Sequence, residues 1–111
     1  MMRGVPQLST FVSRWSAPAH WTLHEFAHRA KAAGFAGVEM SMRDLGATAT
    51  ERRAAAESIR SQQLRLVCGV YSSWVDYEGP WAPLSPAQHL ETFKARHRCV
   101  CVCVCVCVCD A

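Results

Sequence analysis

The sequence predicts an α/β fold in which β-strands alternate with helices along the chain. Short apolar runs are separated by segments of helical periodicity, and the strands begin near residues 8, 36 and 65. This spacing of about 28–29 residues fits one β/α unit, and eight units would make about 230 residues, close to a (β/α)8 barrel. A doubly wound sheet uses the same units. No G-x-G-x-x-G follows the first strand, so the nucleotide-binding cue of the doubly wound sheet is missing.

Length and composition indicate one domain with the usual proportions of apolar and charged residues. The 111 residues allow only a modest core. The net charge is +3 and the basic residues are scattered, so no nucleic-acid surface is indicated. No run approaches the roughly 18 apolar residues of a membrane helix. We therefore expect a cytoplasmic protein, with organellar import as the weaker alternative because no acid precedes Glu25.

The first β/α unit has clear boundaries. Residues 8–12 form a β-prone run, and Thr22 with Glu25 matches the T-x-x-E capping box that begins a helix. Gly34 can adopt the left-handed conformation that ends a helix. The helical periodicity places one apolar set toward the core, namely Leu23, Phe26, Ala27, Ala30 and Ala33.

The second strand alternates between two sets of residues. Val38, Met40 and Met42 are expected to pack against the helices, whereas Gly37, Glu39 and Ser41 face the barrel interior. Glu39 is our main candidate for a site residue, because function in barrels gathers at the carboxyl ends of the strands. An acid in the interior needs a hydrogen bond, a metal or a substrate as its partner. The alternative role of Glu39 is a hydrogen-bond anchor within the barrel.

The remaining elements follow the same pattern. Residues 44–46 are expected to form a loop, and Thr48 with Glu51 begins a helix that runs to about residue 63. Residues 64–71 are dense in apolar side chains, as expected of a strand covered on both faces. After the loop 72–84, a third helix begins with Ser85 as N-cap, Pro86 at its first position and Gln88 as capping partner.

Three further candidates for substrate binding lie at or just after the end of the third strand. They are Tyr71, Trp74 and Asp76. Aromatic rings with polar tips suit the stacking and hydrogen bonding that a sugar requires. The alternative is a loop whose side chains pack only on one another.

Three segments together resemble a known family. LSTFVSRW, AAGFAGVEMS and LRLVCGVYSSWVDYEG are similar to the first three β/α units of the xylose isomerase-like TIM-barrel proteins. These proteins include sugar and sugar-phosphate isomerases and epimerases, and endonuclease IV. The resemblance covers residues 7–97 and three of the eight strands. It implies a barrel fold, a small sugar or sugar phosphate as substrate, and a divalent metal in the intact family.

The resemblance also implies what this chain lacks. Family members take their metal ligands and acid/base pair mostly from later strands, so we expect no complete catalytic set and no metal ligands here. Endonuclease IV-like members carry a metal histidine where residues 69–72 read GVYS, which disfavours a role on DNA. We therefore expect an inactive N-terminal fragment of a sugar isomerase or epimerase. The missing strands leave open sheet edges through which the chain is expected to self-associate.

The end of the chain breaks the pattern. We assign residues 1–98 to the truncated barrel domain and residues 99–111 to a low-complexity tail, in which cysteine and valine alternate up to residue 109. An in-frame TG dinucleotide repeat would encode this alternation as TGT and GTG codons, so we interpret the tail as a translated microsatellite that begins near the place of a fourth strand. The alternative is a non-enzymatic, thiol-rich metal-binding or interaction peptide, since thiolates bind Zn and Cu(I). Strict alternation in a strand would put every thiol on one flat face.

The segment from His24 to His28 matches the H-E-x-x-H motif of zinc peptidases. Glu25 already has a role in the capping box, and the helical projection places both histidines on the face away from the apolar residues. The extended metzincin pattern fails at Lys31 and Gly34. We interpret the motif as a solvated helix face and keep a small zinc peptidase as the least favoured function.

Overall fold

Three parallel strands form one open sheet in the computed structural model, which describes residues 4–70 and 82–103. The strands are β1 (Phe11–Ser13), β2 (Gly37–Ser41) and β3 (Arg65–Gly69), and they lie side by side in chain order. Phe11 pairs with Gly37, and Gly37 pairs with Arg65. The predicted α/β class with parallel strands is therefore confirmed, and the described strands do not close into a barrel.

Helices connect the strands and follow the last of them. A short 3-10 helix (Arg14–Ser16) follows β1, and the α-helices are α1 (Leu23–Ala32), α2 (Met42–Leu45), α3 (Ala49–Ser61) and α4 (Pro86–Cys103). Within the described ranges, no helix has both the length and the apolar character needed to cross a membrane. The strands thus alternate with helices along the whole described part of the chain.

The three predicted capping boxes are present. In each one the N-cap side chain accepts the backbone N–H of the third helical residue, whose own side chain accepts the N-cap N–H. The pairs are Thr22 with Glu25, Thr48 with Glu51, and Ser85 with Gln88. Gly34 follows the C-cap residue of α1 and has a φ of +91°, the left-handed conformation predicted for it. Gln63 takes the same role after the C-cap residue of α3, with a φ of +60°.

A fourth capping box contradicts the predicted loop at residues 44–46. The Ser41 N–H donates to Asp44 Oδ2 at 3.1 Å, and the Asp44 N–H donates to Ser41 Oγ at 3.1 Å. This pair ends β2 and begins α2. Met42 is therefore the first residue of α2 rather than the last residue of the strand, and it packs half-buried against the core.

The first and third strands also differ from the prediction. β1 begins at Phe11, and Leu8 is 95% exposed because it has no strand beside it. β3 is not covered on both faces by the described residues, since Arg65 is exposed and Val67 is 49% exposed. Only the Leu66 and Cys68 side of β3 packs on the core.

The first part of the Cys-Val run is helical rather than extended. α4 continues through residue 103, although strict alternation favours a strand. Adding a residue to an existing helix avoids the unfavourable nucleation step, so a run that follows a helix can be drawn into it. Residues 104–111 lie outside the described part of the chain.

The core lies between the sheet and the helices α1, α2 and α3. Its buried apolar residues are Phe26, Ala27, Ala30, Val38, Met40, Leu45, Ala56, Ile59 and Leu64. Val38 and Met40 come from one side of β2, as the alternation predicted, and Phe26 and Ile59 fill the space above them. The helices therefore cover one face of the sheet and leave the opposite face for other contacts.

Candidate functional site

The face of the sheet opposite the helices carries the predicted site residue, and we call it the open face. It presents Phe11, Ser13, Glu39, Arg65 and Val67, which the strand register arranges in two rows. The first row joins Phe11, Gly37 and Arg65, and the second joins Ser13, Glu39 and Val67. The second row is nearer the carboxyl ends of the strands, where ligand sites of parallel sheets form.

The first row is built on a glycine. A Cβ atom at Gly37 would collide with the Phe11 ring and with the carbonyl oxygen of Arg65. The absence of a side chain therefore lets the ring of Phe11 lie close against the backbone of β2. The Arg65 guanidinium extends over the same ring, with its Cζ 5.2 Å from the ring centroid.

Glu39 occupies the middle of the second row. Its side chain is exposed and lies on the opposite side of β2 from Val38 and Met40, as the alternation predicted. Within residues 4–70 and 82–103, no side chain forms a hydrogen bond or an ion pair with this carboxylate. Glu39 is therefore exposed, and its carboxylate is not engaged by the described part of the chain.

The other predicted site residues lie outside the part of the chain for which positions relative to Glu39 are described. Tyr71, Trp74 and Asp76 lie outside the described residues, which resume at residue 82. The third strand does end at Gly69, beside Ser41 at the carboxyl edge of the sheet. The chain that carries these three residues therefore leaves the sheet at the same edge that Glu39 approaches.

Arg14 shapes the carboxyl edge at the end of β1, and the sequence prediction did not single it out. Its guanidinium donates to the carbonyl oxygens of Pro18 at 3.1 Å and Trp21 at 2.7 Å. Its Cζ lies 5.5 Å from the centroid of the Phe26 ring, and Arg29 lies 4.3 Å from that of Trp21. These contacts fix the segment between β1 and α1. The sequence feature that could have identified Arg14 is a long cationic side chain directly after the first predicted strand.

Arg65 is the second residue on the open face that the prediction missed. Arg65 lies two residues before Val67, and alternate residues of a strand point to the same face, so both lie on the open face. Because residues 64–71 are dense in apolar side chains, the sequence predicted a strand covered on both faces, and the exposed position of Arg65 was not predicted. An arginine and a glutamate on alternate rows of one face make that face polar.

The H-E-x-x-H motif lies in the first turns of α1. His24 and His28 are exposed on α1, as predicted. The Thr22 N–H donates to Glu25 Oε2 at 2.8 Å, and this hydrogen bond lowers the pKa of Glu25. A carboxylate held in this way by a backbone donor is a weaker base. The described residues contain no group of three or more side chains placed to hold a metal ion.

Comparison of the chain with protein-family models, with curated protein sequences and with solved structures found no match. The resemblance to a family therefore rests on the sequence motifs alone, and what the open face can bind follows from the chemistry of its side chains. That face offers one carboxylate, one hydroxyl and one guanidinium beside an aromatic ring. Such a set can bind a polyhydroxylated molecule through hydrogen bonds and ring contact.

Proposed function

We propose that the chain forms the first three β/α units of a xylose isomerase-like barrel. In its intact form such a barrel would isomerise or epimerise a small sugar or sugar phosphate by proton transfer. The three units would supply part of the substrate-binding wall and no complete catalytic centre. The observation that best supports this proposal is the position of Glu39, exposed on the open face near the carboxyl end of the middle strand.

The polarity of the open face favours a barrel over a doubly wound sheet. In a doubly wound sheet helices cover both faces, so the strands become apolar on both sides. Here Glu39 and Arg65 alternate with the core residues Val38 and Leu66. Glu39 suits a barrel interior, where polar groups near the carboxyl ends of the strands reach the substrate, whereas Arg65 lies at the amino end of β3.

The described residues do not fit the divalent metal of the intact family. Glu39 is the sole carboxylate of the two rows on the open face, and hard cations require several oxygen ligands. General acid–base catalysis of a sugar isomerisation likewise requires more than one positioned group. We therefore propose that the chain by itself is inactive.

The proposal has a direct genomic test and a biochemical one. Reading the coding sequence downstream of residue 98 shows whether five more β/α units follow. In a chain that carries all eight units, Glu39→Gln should lower kcat/KM for sugar isomerisation at least tenfold and leave thermal stability unchanged. Glu57→Gln, which changes an exposed carboxylate on α3, should leave both unchanged. A loss of stability with unaltered kinetics would show that Glu39 is structural.

A further inference from the structure

An apolar groove lies between β1 and α1 on the helix side of the sheet, and we call it the β1 groove. Its volume is about 540 Å³. Eight of its ten lining residues are apolar, and Arg29 is the only charged one among them. The lining residues are Val12, Ser16, Ala17, Trp21, Phe26, Arg29, Ala30, Ala32, Ala33 and Phe35. None of them belongs to the open face, so the groove is separate from the candidate site described above.

The sheet edge next to this groove has no neighbour among the described strands. The strand order is β1-β2-β3, so β1 pairs with β2 on one side only. An edge strand of this kind presents backbone N–H and C=O groups to a further strand. Val12 packs against the core and also lines the groove. A strand added to this edge would therefore extend the sheet and lie directly beside the groove.

The segment that precedes β1 carries an apolar side chain that its own copy does not bury. Residues 4–10 are all exposed, and Leu8 is 95% exposed. Side chains two residues apart in an extended chain point to the same side. Leu8 comes four residues before Val12, so in an extended segment both side chains point to the helix side of the sheet.

We propose that two copies of the chain form a symmetric dimer in which the β1 strands pair antiparallel and each Leu8 enters the β1 groove of the other copy. Antiparallel pairing of identical strands has a two-fold axis, so each contact occurs twice. Where Val12 lies opposite Val12, residue 8 lies opposite Ser16, which lines the groove. Directly opposite residues of an antiparallel pair point to the same face, so Leu8 is directed to the groove and not to the open face.

The surface involved has the size that a stable dimer needs. Each copy contributes the fourteen residues of segment 4–17 and seven lining residues beyond it, which makes 21 residues. Specific protein–protein interfaces use about 20–30 residues on each side. The apolar lining and Leu8 provide the hydrophobic centre of such an interface, and the exposed ends of the segment provide its rim.

A second copy fits this surface better than a small molecule does. Pockets for small molecules have volumes of about 300–1,000 Å³, so the groove alone would accept either occupant. A small molecule would leave the edge of β1 unpaired and Leu8 exposed. A second copy covers the groove, the strand edge and Leu8 together.

The dimer goes beyond the proposed function, because it concerns the 111-residue chain by itself. In an intact barrel the last strand would pair with the same edge of β1, since a closed barrel has no edge strands. Barrel closure and this dimer therefore exclude each other. The dimer is tested on the 111-residue chain and the barrel on a chain with all eight units, so the two proposals fail in different experiments.

Analytical ultracentrifugation of the full chain under reducing conditions tests the dimer. The unaltered chain should dissociate to monomers on dilution, with a dimer as its smallest associated species. Leu8→Lys should raise the Kd of this dimer at least tenfold, because it places a charge in an apolar groove. The matched control is Gln7→Lys, which adds the same charge at the neighbouring exposed residue, on the opposite face of an extended segment. This variant should keep the Kd of the unaltered chain.

Photo-crosslinking identifies the contact itself. A full chain with Leu8→p-benzoylphenylalanine, mixed with isotopically labelled unaltered chain, should form crosslinks between copies that map to residues 12–17 and 26–35. Circular dichroism shows whether the variants keep the fold, as expected for changes at exposed positions. A chain that stays monomeric at every concentration, an equal effect of Gln7→Lys, or crosslinks between copies that map only to β3 would each overturn the proposal.

Discussion

At the scale of single residues, the contact between Gly37 and Phe11 determines how closely β1 and β2 fit on the open face. The aromatic ring occupies the volume that a side chain at residue 37 would fill, and Arg65 extends over the same ring. A glycine in the interior of a strand weakens β-structure unless another group uses its space. Here the ring of Phe11 uses it, which explains why Gly37 is buried although Glu39 and Arg65 on the same face are exposed.

Replacing this glycine should therefore destabilise the fold. We expect Gly37→Ala to lower the free energy of unfolding by about 1–3 kcal/mol, because the added methyl group collides with the ring and with a backbone carbonyl. Thermal unfolding followed by circular dichroism measures the effect. The matched control is Gly4→Ala, since a Cβ at Gly4 meets no atom within 4 Å. Equal effects of the two substitutions would refute the steric explanation.

The histidines of α1 give a second prediction at this scale. Because His24 and His28 are exposed and Glu25 is held by Thr22, we expect His28→Ala to change neither the zinc content nor the helical signal. Metal analysis of the purified chain and circular dichroism provide the two measurements. His20→Ala, at an exposed histidine outside the helix, serves as the control. Stoichiometric zinc that disappears with His28 but not with His20 would establish the peptidase-like site instead.

At the scale of elements, capping boxes define where the helices begin. The carboxylates of Glu25 and Glu51 both accept backbone N–H groups, and these hydrogen bonds are the main cause of their lowered pKa values. A lowered pKa in the folded chain means that folding favours the ionised carboxylate. The stabilisation is complete above the ordinary pKa and is lost as the pH falls through the lowered one.

This linkage predicts the acid sensitivity of α3. Glu51→Gln keeps a side-chain acceptor at the cap but cannot ionise, so the start of α3 should lose its pH dependence below about pH 4.5. Amide exchange at Ala47 and Thr48, whose N–H groups bond to Glu51, reports the change. Glu57→Gln lies in the same helix without a role in the cap, and it should retain the pH response of the unaltered chain. An unchanged response in Glu51→Gln would contradict the linkage.

The elements differ in how well the sequence predicts them. Thr22, Thr48 and Ser85 begin helices because local hydrogen bonds decide those positions, and local patterns suffice to find them. The cap at Ser41 was missed because Met42 continues the alternation of the strand. The helix through residue 103 was missed because its cause lies outside the Cys-Val run, in the helix that precedes it.

The candidate site was predictable only in part, for a related reason. The period of two placed Glu39 on the correct face of β2. It did not show which residues of the neighbouring strands would lie beside Glu39, because that depends on the register with Ser13 and Val67. The docking of α4 against α3 is likewise encoded by no local pattern.

At the scale of the whole molecule, the sheet has two kinds of unsatisfied surface within the described residues. β1 and β3 are edge strands, since the order is β1-β2-β3. The open face adds an apolar side chain, because Val67 is 49% exposed. Exposed edges pair readily with other chains, and apolar surface beside them strengthens the association.

We expect the full chain to self-associate in solution under reducing conditions. Val67→Lys should shift the chain toward smaller species, because it places a charge on the open face next to an edge strand. Size-exclusion chromatography with light scattering measures the distribution. Ala54→Lys adds the same charge at an exposed position of α3 and should leave the distribution unchanged. A monodisperse monomer with cooperative unfolding for the unaltered chain would disprove this prediction.

The consecutive order of the strands also has a consequence during synthesis on the ribosome. Residue 37 pairs with residue 11, and residue 65 pairs with residue 37. The partner on the next strand therefore emerges 26 residues later in the first case and 28 residues later in the second. Closing loops of this length carries a modest entropic penalty, and near-neighbour pairings form early. The nascent chain can therefore add strands in the order in which they are translated. At every step the newest strand becomes the edge on which the next segment assembles.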